Sequence, residues 1–208
     1  MTRLRLAVFG SGYGSNCRAI HQAINDGQLT AEITVIISDQ EKAGILDFAQ
    51  EQGIPAFRIA SGDFASLTDF HHALLEILKQ YHADMILLAG YMKKIGKPIL
   101  RAYPNRVLNI HPALLPAFGG KGLYGKRVHQ AVLDYGAKIT GVTVHLVDEE
   151  YDHGPIVMQK AVPVLDHDTA DSLAERVLQT EHELYPAAIR LFAENRVRIE
   201  NRKVIIMN

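Results

Sequence analysis

The strongest constraint on the fold is an alternation. Short apolar runs that read as strands recur near residues 4–10, 31–37, 55–59, 84–89 and 106–110. Segments with helical apolar spacing lie near 15–27, 43–52, 68–82 and 125–135. Such a succession builds a mainly parallel sheet, because parallel neighbours need a crossover and a helix supplies it. Runs such as Met85-Ile86-Leu87-Leu88-Ala89, apolar throughout, belong to strands covered on both faces. Past residue 136 the pattern changes. Residues 139–147 alternate as a half-buried strand, and 155–164 read as another. A long helix covers about 170–193, with Pro186 expected to kink it, and 196–206 form a terminal hairpin. No repeat or Pro/Gly/Ser linker divides the chain, so 1–208 is expected to be a single domain. The expected class is α/β: a mainly parallel central sheet, helices on both faces and a C-terminal antiparallel addition.

Composition narrows the function. Hydrophobic residues make up 48% of the 208 positions, enough to build a core, so intrinsic disorder is excluded. Lys and Arg number 22 against 23 Asp and Glu, a net charge of -1. A protein built to grip phosphate backbones carries a basic excess, so no nucleic-acid partner is expected. One cysteine, Cys17, leaves no intramolecular disulfide and no cysteine-based zinc cluster. No run approaches the roughly 18 apolar residues that suggest a membrane span. The chain enters a strand at Leu4, without a signal peptide ahead of it, so a cytoplasmic location is expected.

Three places carry chemistry. Gly10-Ser11-Gly12-Tyr13-Gly14-Ser15-Asn16 lies where the first strand gives way to the first helix. Glycines allow close backbone approach to an anion, and a helix N-terminus offers N–H groups and a positive dipole end. Gly10 and Gly12 match G-x-G-x-x-G but Ser15 replaces the third glycine, and no Gly-Lys-Ser/Thr follows. A phosphate monoester therefore fits better than a dinucleotide, and Ser15 or Asn16 is expected to cap the helix; a plain tight turn is the alternative. At the end of the fifth strand stand Asn109-Ile110-His111-Pro112. The period of two puts Asn109 and His111 on one face, where an amide donates to an oxyanion and an imidazole moves protons. The third place is Asp152-His153-Gly154-Pro155. There Asp152, held near His111, would orient the imidazole and support its charged form, while Glu149 and Glu150 read as solvated. His145 and His153 beside Asp152 lack any recognised metal-ligand spacing, so no metal is expected.

A fourth residue breaks a pattern. Leu173, Val177, Leu184 and Ala188 mark the apolar stripe of the long helix, and Glu181 falls on it. A carboxylate there is unfavourable unless it is paired or reaches a cleft, where it would meet a ligand; snorkelling to the edge of the stripe is the alternative. His71 and His72 read as ordinary surface residues of their helix.

Taken in this order, the glycine loop, Asn109-x-His111-Pro112 and Asp152-x-Gly154-Pro155 resemble the phosphoribosylglycinamide formyltransferase (GAR transformylase) family. The resemblance extends to Glu181-His182-x-x-Tyr185-Pro186. It implies a Rossmann-like formyltransferase fold and transfer of a formyl group from 10-formyltetrahydrofolate to the amine of glycinamide ribonucleotide, in purine biosynthesis. Asn109, His111 and Asp152 then match the catalytic residues. Gly14, Ser15 and Asn16 would cradle the ribonucleotide phosphate, with Glu181 near the ribose. Met92, Lys93, Lys94 and Ile95, with Asn109, would meet the folate. Lys93 and Lys94 stand where the family usually has an arginine and an apolar residue. Leu67 stands where a basic residue often meets the folate tail, and Gly119 where proline is common, so loop 118–125 is expected to be more mobile. The implied partners are two small molecules, acting on a monomer or homodimer.

Two relatives of this core, methionyl-tRNA formyltransferase and formyltetrahydrofolate hydrolase, normally carry an extra domain for which 208 residues leave no room. A non-catalytic nucleotide sensor would keep the glycine loop without needing Asn109, His111 and Asp152 together.

Overall fold

A computed structural model describes residues 3–208. Seven strands form one sheet in the order β3-β2-β1-β4-β5-β6-β7, and two more form a separate hairpin. The chain divides into two compact units, 1–108 and 109–208.

The first unit holds β1 (Leu4–Phe9), β2 (Ala31–Ser38), β3 (Ala56–Arg58) and β4 (Met85–Leu88), with α1 (Ser15–Asn25), α2 (Gly44–Glu51), α3 (Leu67–Gln80) and α4 (Lys97–Ala102) between them. The pairs β1/β2, β1/β4 and β2/β3 are parallel. From β1 the chain first moves outward through β2 to β3, then returns to the other side of β1 as β4. Right-handed crossovers therefore put α1 and α2 on one face and α3 on the other. Leu6, Val8, Ile36, Ile37, Ile86 and Leu87 are fully buried, as strands covered on both faces require. Helix α4 was not legible from periodicity. It has six residues, with a proline in its first turn, too few to display an apolar stripe.

The reversal between β1 and β4 has a functional consequence. Where the connections after two neighbouring parallel strands run to opposite sides, the carboxyl ends of those strands are a usual place for a ligand. The glycine loop follows β1, and residues 90–95 follow β4.

The second unit begins within β5 (Val107–His111) and contains α5 (Lys126–Tyr135), β6 (Ile139–Leu146), β7 (Ile156–Pro163) and α6 (Ala170–Ala193). Strands β6 and β7 are antiparallel, and β8 (Val197–Glu200) pairs antiparallel with β9 (Lys203–Ile206), the expected addition. One expectation fails. β6 is buried at every position after Ile139, not on one face alone. On one face Gly141, Thr143 and His145 alternate with Val142 and Val144 and imitate a solvent face; in the fold, Thr143 is instead satisfied internally. Its hydroxyl donates to the Ala113 carbonyl (2.7 Å) and accepts from Leu115 N–H (3.0 Å) and Gln159 (2.9 Å).

Helix α6 continues through Pro186. Thr169 caps its N-terminus by accepting from Ser172 N–H. Just before it, Asp168 receives both arms of Arg176 at 2.7 Å, which hold its carboxyl well below the usual carboxylate range. Among the described residues, no helix is long and apolar enough to cross a membrane.

Candidate active site

The end of β5 carries two polar side chains for the reason the sequence suggested. Asn109 and His111 alternate with buried Leu108 and Ile110, and so share the opposite face. Asp152 joins them from the β6–β7 connection. Its Oδ2 lies 3.7 Å from His111 Nδ1, and its side chain is 13% exposed. The three residues expected to act together therefore meet in space.

The turn behind Asp152 explains its sequence. Asp152 has φ 51, a left-handed conformation that Asp and Asn tolerate better than most residues. A Cβ on Gly154 would lie 1.8 Å from the Leu146 carbonyl oxygen, so only glycine fits. Glu149 and Glu150 are exposed, as expected of solvated carboxylates.

His145 is the member of the cluster that sequence reasoning considered only as a metal candidate. It is almost completely buried, at a register shift in the β6–β7 pairing that re-aims its side chain. Its Nδ1 lies 2.9 Å from the Leu146 carbonyl, which only accepts, so Nδ1 carries the proton. Nε2 is then an acceptor, and it lies 3.1 Å from Asn109 Nδ2. One Asn109 N–H is thereby fixed on His145, and the amide's second N–H is left with a defined direction. Burial pushes the His145 pKa down, against the raising influence of the Leu146 hydrogen bond and Asp152, which keeps the ring a neutral acceptor. Its signal in the sequence is faint: two polar residues, Thr143 and His145, spaced by two on an otherwise apolar strand.

The same reasoning assigns the His111 protons. Nε2 lies 2.9 Å from the Phe118 carbonyl and must donate to it, leaving Nδ1 facing Asp152. Asp152 Oδ2 also accepts from Gly120 N–H at 2.8 Å. Loop 118–125, expected to be mobile, thus begins with tethers to both members of the pair. Gly119 lies between those tethers. A Cβ there would approach Leu115 Cδ2 to 2.4 Å and Asp152 Cβ to 3.2 Å.

The glycine loop belongs to the first unit. Gly14 adopts φ 81 and is the N-cap of α1, without a side-chain cap bond; Ser15 is already helical. The expected capping by Ser15 or Asn16 is therefore corrected: a left-handed glycine turns the chain instead. Cβ atoms on Gly10 or Gly14 would collide with Ile45 of α2 at 2.6 and 2.8 Å. Packing alone thus accounts for two of the three glycines. The first turn of α1 still presents its N–H groups and positive dipole end, with Ser15 and buried Asn16 on it.

Residues 92–95 follow β4. Met92 is 48% exposed and Ile95 is buried. Lys93 and Lys94 are exposed, and Lys93 Nζ lies 3.9 Å from Asp39 Oδ2. His71, read as a surface residue, is instead half-buried with its ring against Gly96, where a Cβ would lie 2.0 Å from Nε2. His72 is exposed. Glu181 is only 8% exposed, which removes the snorkelling alternative. Among the described residues, no group of three or more His, Cys, Asp or Glu side chains forms a metal-holding cluster. Cys17 is buried, which pushes its thiol up to about 12.

What this arrangement resembles among known proteins is consistent along the chain. Residues 4–189 match the formyl transferase family model. The chain is 44% identical over 201 residues to a chloroplastic phosphoribosylglycinamide formyltransferase of Arabidopsis thaliana, covering 94% of this chain and 68% of that protein. It is 37% identical to the phosphoribosylglycinamide formyltransferase of Bacillus subtilis, covering 89% of this chain and 93% of that one. In structure it is similar to glycinamide ribonucleotide transformylase 1 from Symbiobacterium toebii. There the TM-score is 0.93 at 43% identity, with 100% of this chain and 95% of that chain covered. The chain belongs to the formyl transferase family, among the phosphoribosylglycinamide formyltransferases.

Proposed function

We propose that this protein transfers the formyl group of 10-formyltetrahydrofolate to the amine of glycinamide ribonucleotide, giving formylglycinamide ribonucleotide and tetrahydrofolate in de novo purine biosynthesis. The observation that carries the reading is the meeting of Asn109, His111, His145 and Asp152. A sensor has no need of an oriented amide donor beside an imidazole–carboxylate pair.

In this reading the substrate amine attacks the formyl carbon and the carbonyl oxygen becomes an oxyanion. The Asn109 N–H not held by His145 donates to that oxygen. His111, protonated at Nδ1 and facing Asp152, adds its positive charge beside it. As the tetrahedral carbon collapses, the C–N bond to folate N10 breaks. His111 Nδ1, since Nε2 is committed to Phe118, gives its proton to N10 as the C–N bond breaks and then takes up the proton lost by the attacking amine. Asp152 supports the imidazolium while the oxyanion stands beside it.

The binding roles follow the resemblance: Gly14, Ser15 and Asn16 for the phosphate, Glu181 for the ribose, and Met92, Lys93, Lys94 and Ile95 with Asn109 for the folate. The glycine-led N-terminus of α1 supports the first of these, and the position of residues 92–95 past the carboxyl end of β4, beside the reversal of strand order, supports the third. We treat residues 1–208 as one formyltransferase domain, acting in the cytoplasm as a monomer or homodimer on two small molecules. No metal, nucleic acid or membrane takes part.

The test is an assay of the purified protein with 10-formyltetrahydrofolate, or its 5,8-dideaza analogue, with and without glycinamide ribonucleotide, following folate absorbance. Turnover that depends on the ribonucleotide is expected. Folate release without it means a hydrolase, and no reaction means a binding protein.

A further inference from the structure

A buried carboxylate outside the proposed catalytic cluster has no role in the chemistry above. Asp39 follows β2, its side chain only 3% exposed. Dinucleotide-binding folds use an acid shortly after the glycine loop to hold a ribose. Here both oxygens of Asp39 are engaged within the protein. Oδ1 accepts from the Ser11 hydroxyl at 2.5 Å. Oδ2 accepts from Gln40 Nε2 at 2.6 Å and lies 3.9 Å from Lys93 Nζ.

Ser11 connects this carboxylate to the segment after β4. Its N–H donates to the Gly90 carbonyl at 3.1 Å, and its Oγ accepts from Met92 N–H at 2.9 Å. In a parallel ladder, a residue donates to one neighbour and accepts, through its own carbonyl, from the residue two further on. Ser11 reproduces this spacing one step past the ends of β1 and β4, with its hydroxyl in place of its carbonyl. A hydroxyl has a single proton. The Asp39 carboxylate, which only accepts, receives the hydroxyl's hydrogen bond and so turns a lone pair of Ser11 toward Met92.

We propose that Asp39 is a positioning residue: acting through the Ser11 hydroxyl, it fixes the main chain at Met92 and thereby sets the seat of the folate. The proposal rests on the reading that residues 92–95 receive the folate. It also gives Lys93 a second task, as the cation that faces the buried carboxylate.

The experiment combines steady-state kinetics of Ser11→Ala, Asp39→Ala and their double variant with amide hydrogen exchange of the full chain. Ser11→Ala loses both hydrogen bonds of the hydroxyl, the one given to Asp39 and the one received from Met92 N–H, and raises the KM for formyl-folate about tenfold, with kcat within about twofold of wild type. The double variant is no worse than Ser11→Ala alone, because both act through one hydroxyl. Ser11→Thr recovers most of the loss. A merely structural role lowers thermal stability without this KM-against-kcat split. An unchanged folate KM in Ser11→Ala, or additive losses in the double variant, overturns the proposal. Ser11→Ala decides alone if Asp39→Ala does not fold. Exchange at residues 90–96 with and without 5,8-dideazafolate tests the underlying reading. Unprotected amides there mean that the folate lies elsewhere. Protection with wild-type kinetics in Ser11→Ala refutes the positioning role alone.

Discussion

Replacing Asp152 by Asn removes a charge and keeps the shape. The amide oxygen still accepts from Gly120 N–H, so the tether of that loop survives. What disappears is the attraction between a carboxylate and the His111 imidazolium, 3.7 Å apart. That separation is too long for a hydrogen bond but within ion-pair range, so the loss is Coulombic. Two unit charges at this distance interact by about 4 kcal/mol at an effective dielectric of about 20, and the low exposure of both side chains limits screening. Because the imidazolium is needed while the oxyanion forms, this energy stabilises the transition state more than the bound substrates. Asp152→Asn is accordingly expected to lower kcat about a thousandfold, with KM for both substrates little changed. Stopped assays of formyl transfer, paired with calorimetric titration of glycinamide ribonucleotide, measure both quantities. A kcat within tenfold of wild type, with binding intact, would show that Asp152 does not support His111 electrostatically.

Other perturbations probe neighbouring links. His145→Ala frees the Asn109 amide to rotate and is expected to cost about tenfold in kcat, since it misdirects an oxyanion donor without removing it; a wild-type kcat refutes the orienting role. His145 and His129 are both held below the ordinary imidazole pKa, chiefly by burial, with His111 adding to the shift at His129. The unfolded chain then takes up protons that the fold refuses. Their contribution to stability is therefore complete above the unfolded pKa of about 6.5 and is lost as pH falls below it. The melting temperature should drop between pH 7.5 and 5.5, less steeply in His129→Gln, and an equal slope in the two proteins argues against it. Gly154→Ala forces a Cβ into the Leu146 carbonyl and should displace the turn that carries Asp152, abolishing turnover; an active, normally folded variant excludes that geometry.

The elements with long, regular patterns were legible without coordinates. Strands β1, β2, β4 and β5 and the long α6 fall within a residue or two of their expected bounds. Their apolar periods reflect which faces are buried, a property each segment carries locally. β6 was misjudged because Thr and Gly mimic an exposed face, and its neighbours, not its own residues, decide that both faces are covered. The start of α1 at Ser15 is as expected, but its capping residue was misassigned for a related reason. Ser15 and Asn16 have good capping side chains, but the collision of any Cβ at Gly14 with Ile45 comes from a helix thirty residues away.

The candidate site divides along the same line. Asn109 and His111 share a strand face by the period of two, so the sequence itself sets them side by side. It also contains the family pattern that pairs them with Asp152. Tertiary structure alone decided how near Asp152 comes, which nitrogen of His111 is committed to Phe118, and that His145 orients the Asn109 amide. It alone tied Ser11 and Asp39 to Met92. Periodicity records which face a residue takes within its own element. Hydrogen-bond direction depends on partners dozens of residues away, brought near only when the sheet is assembled.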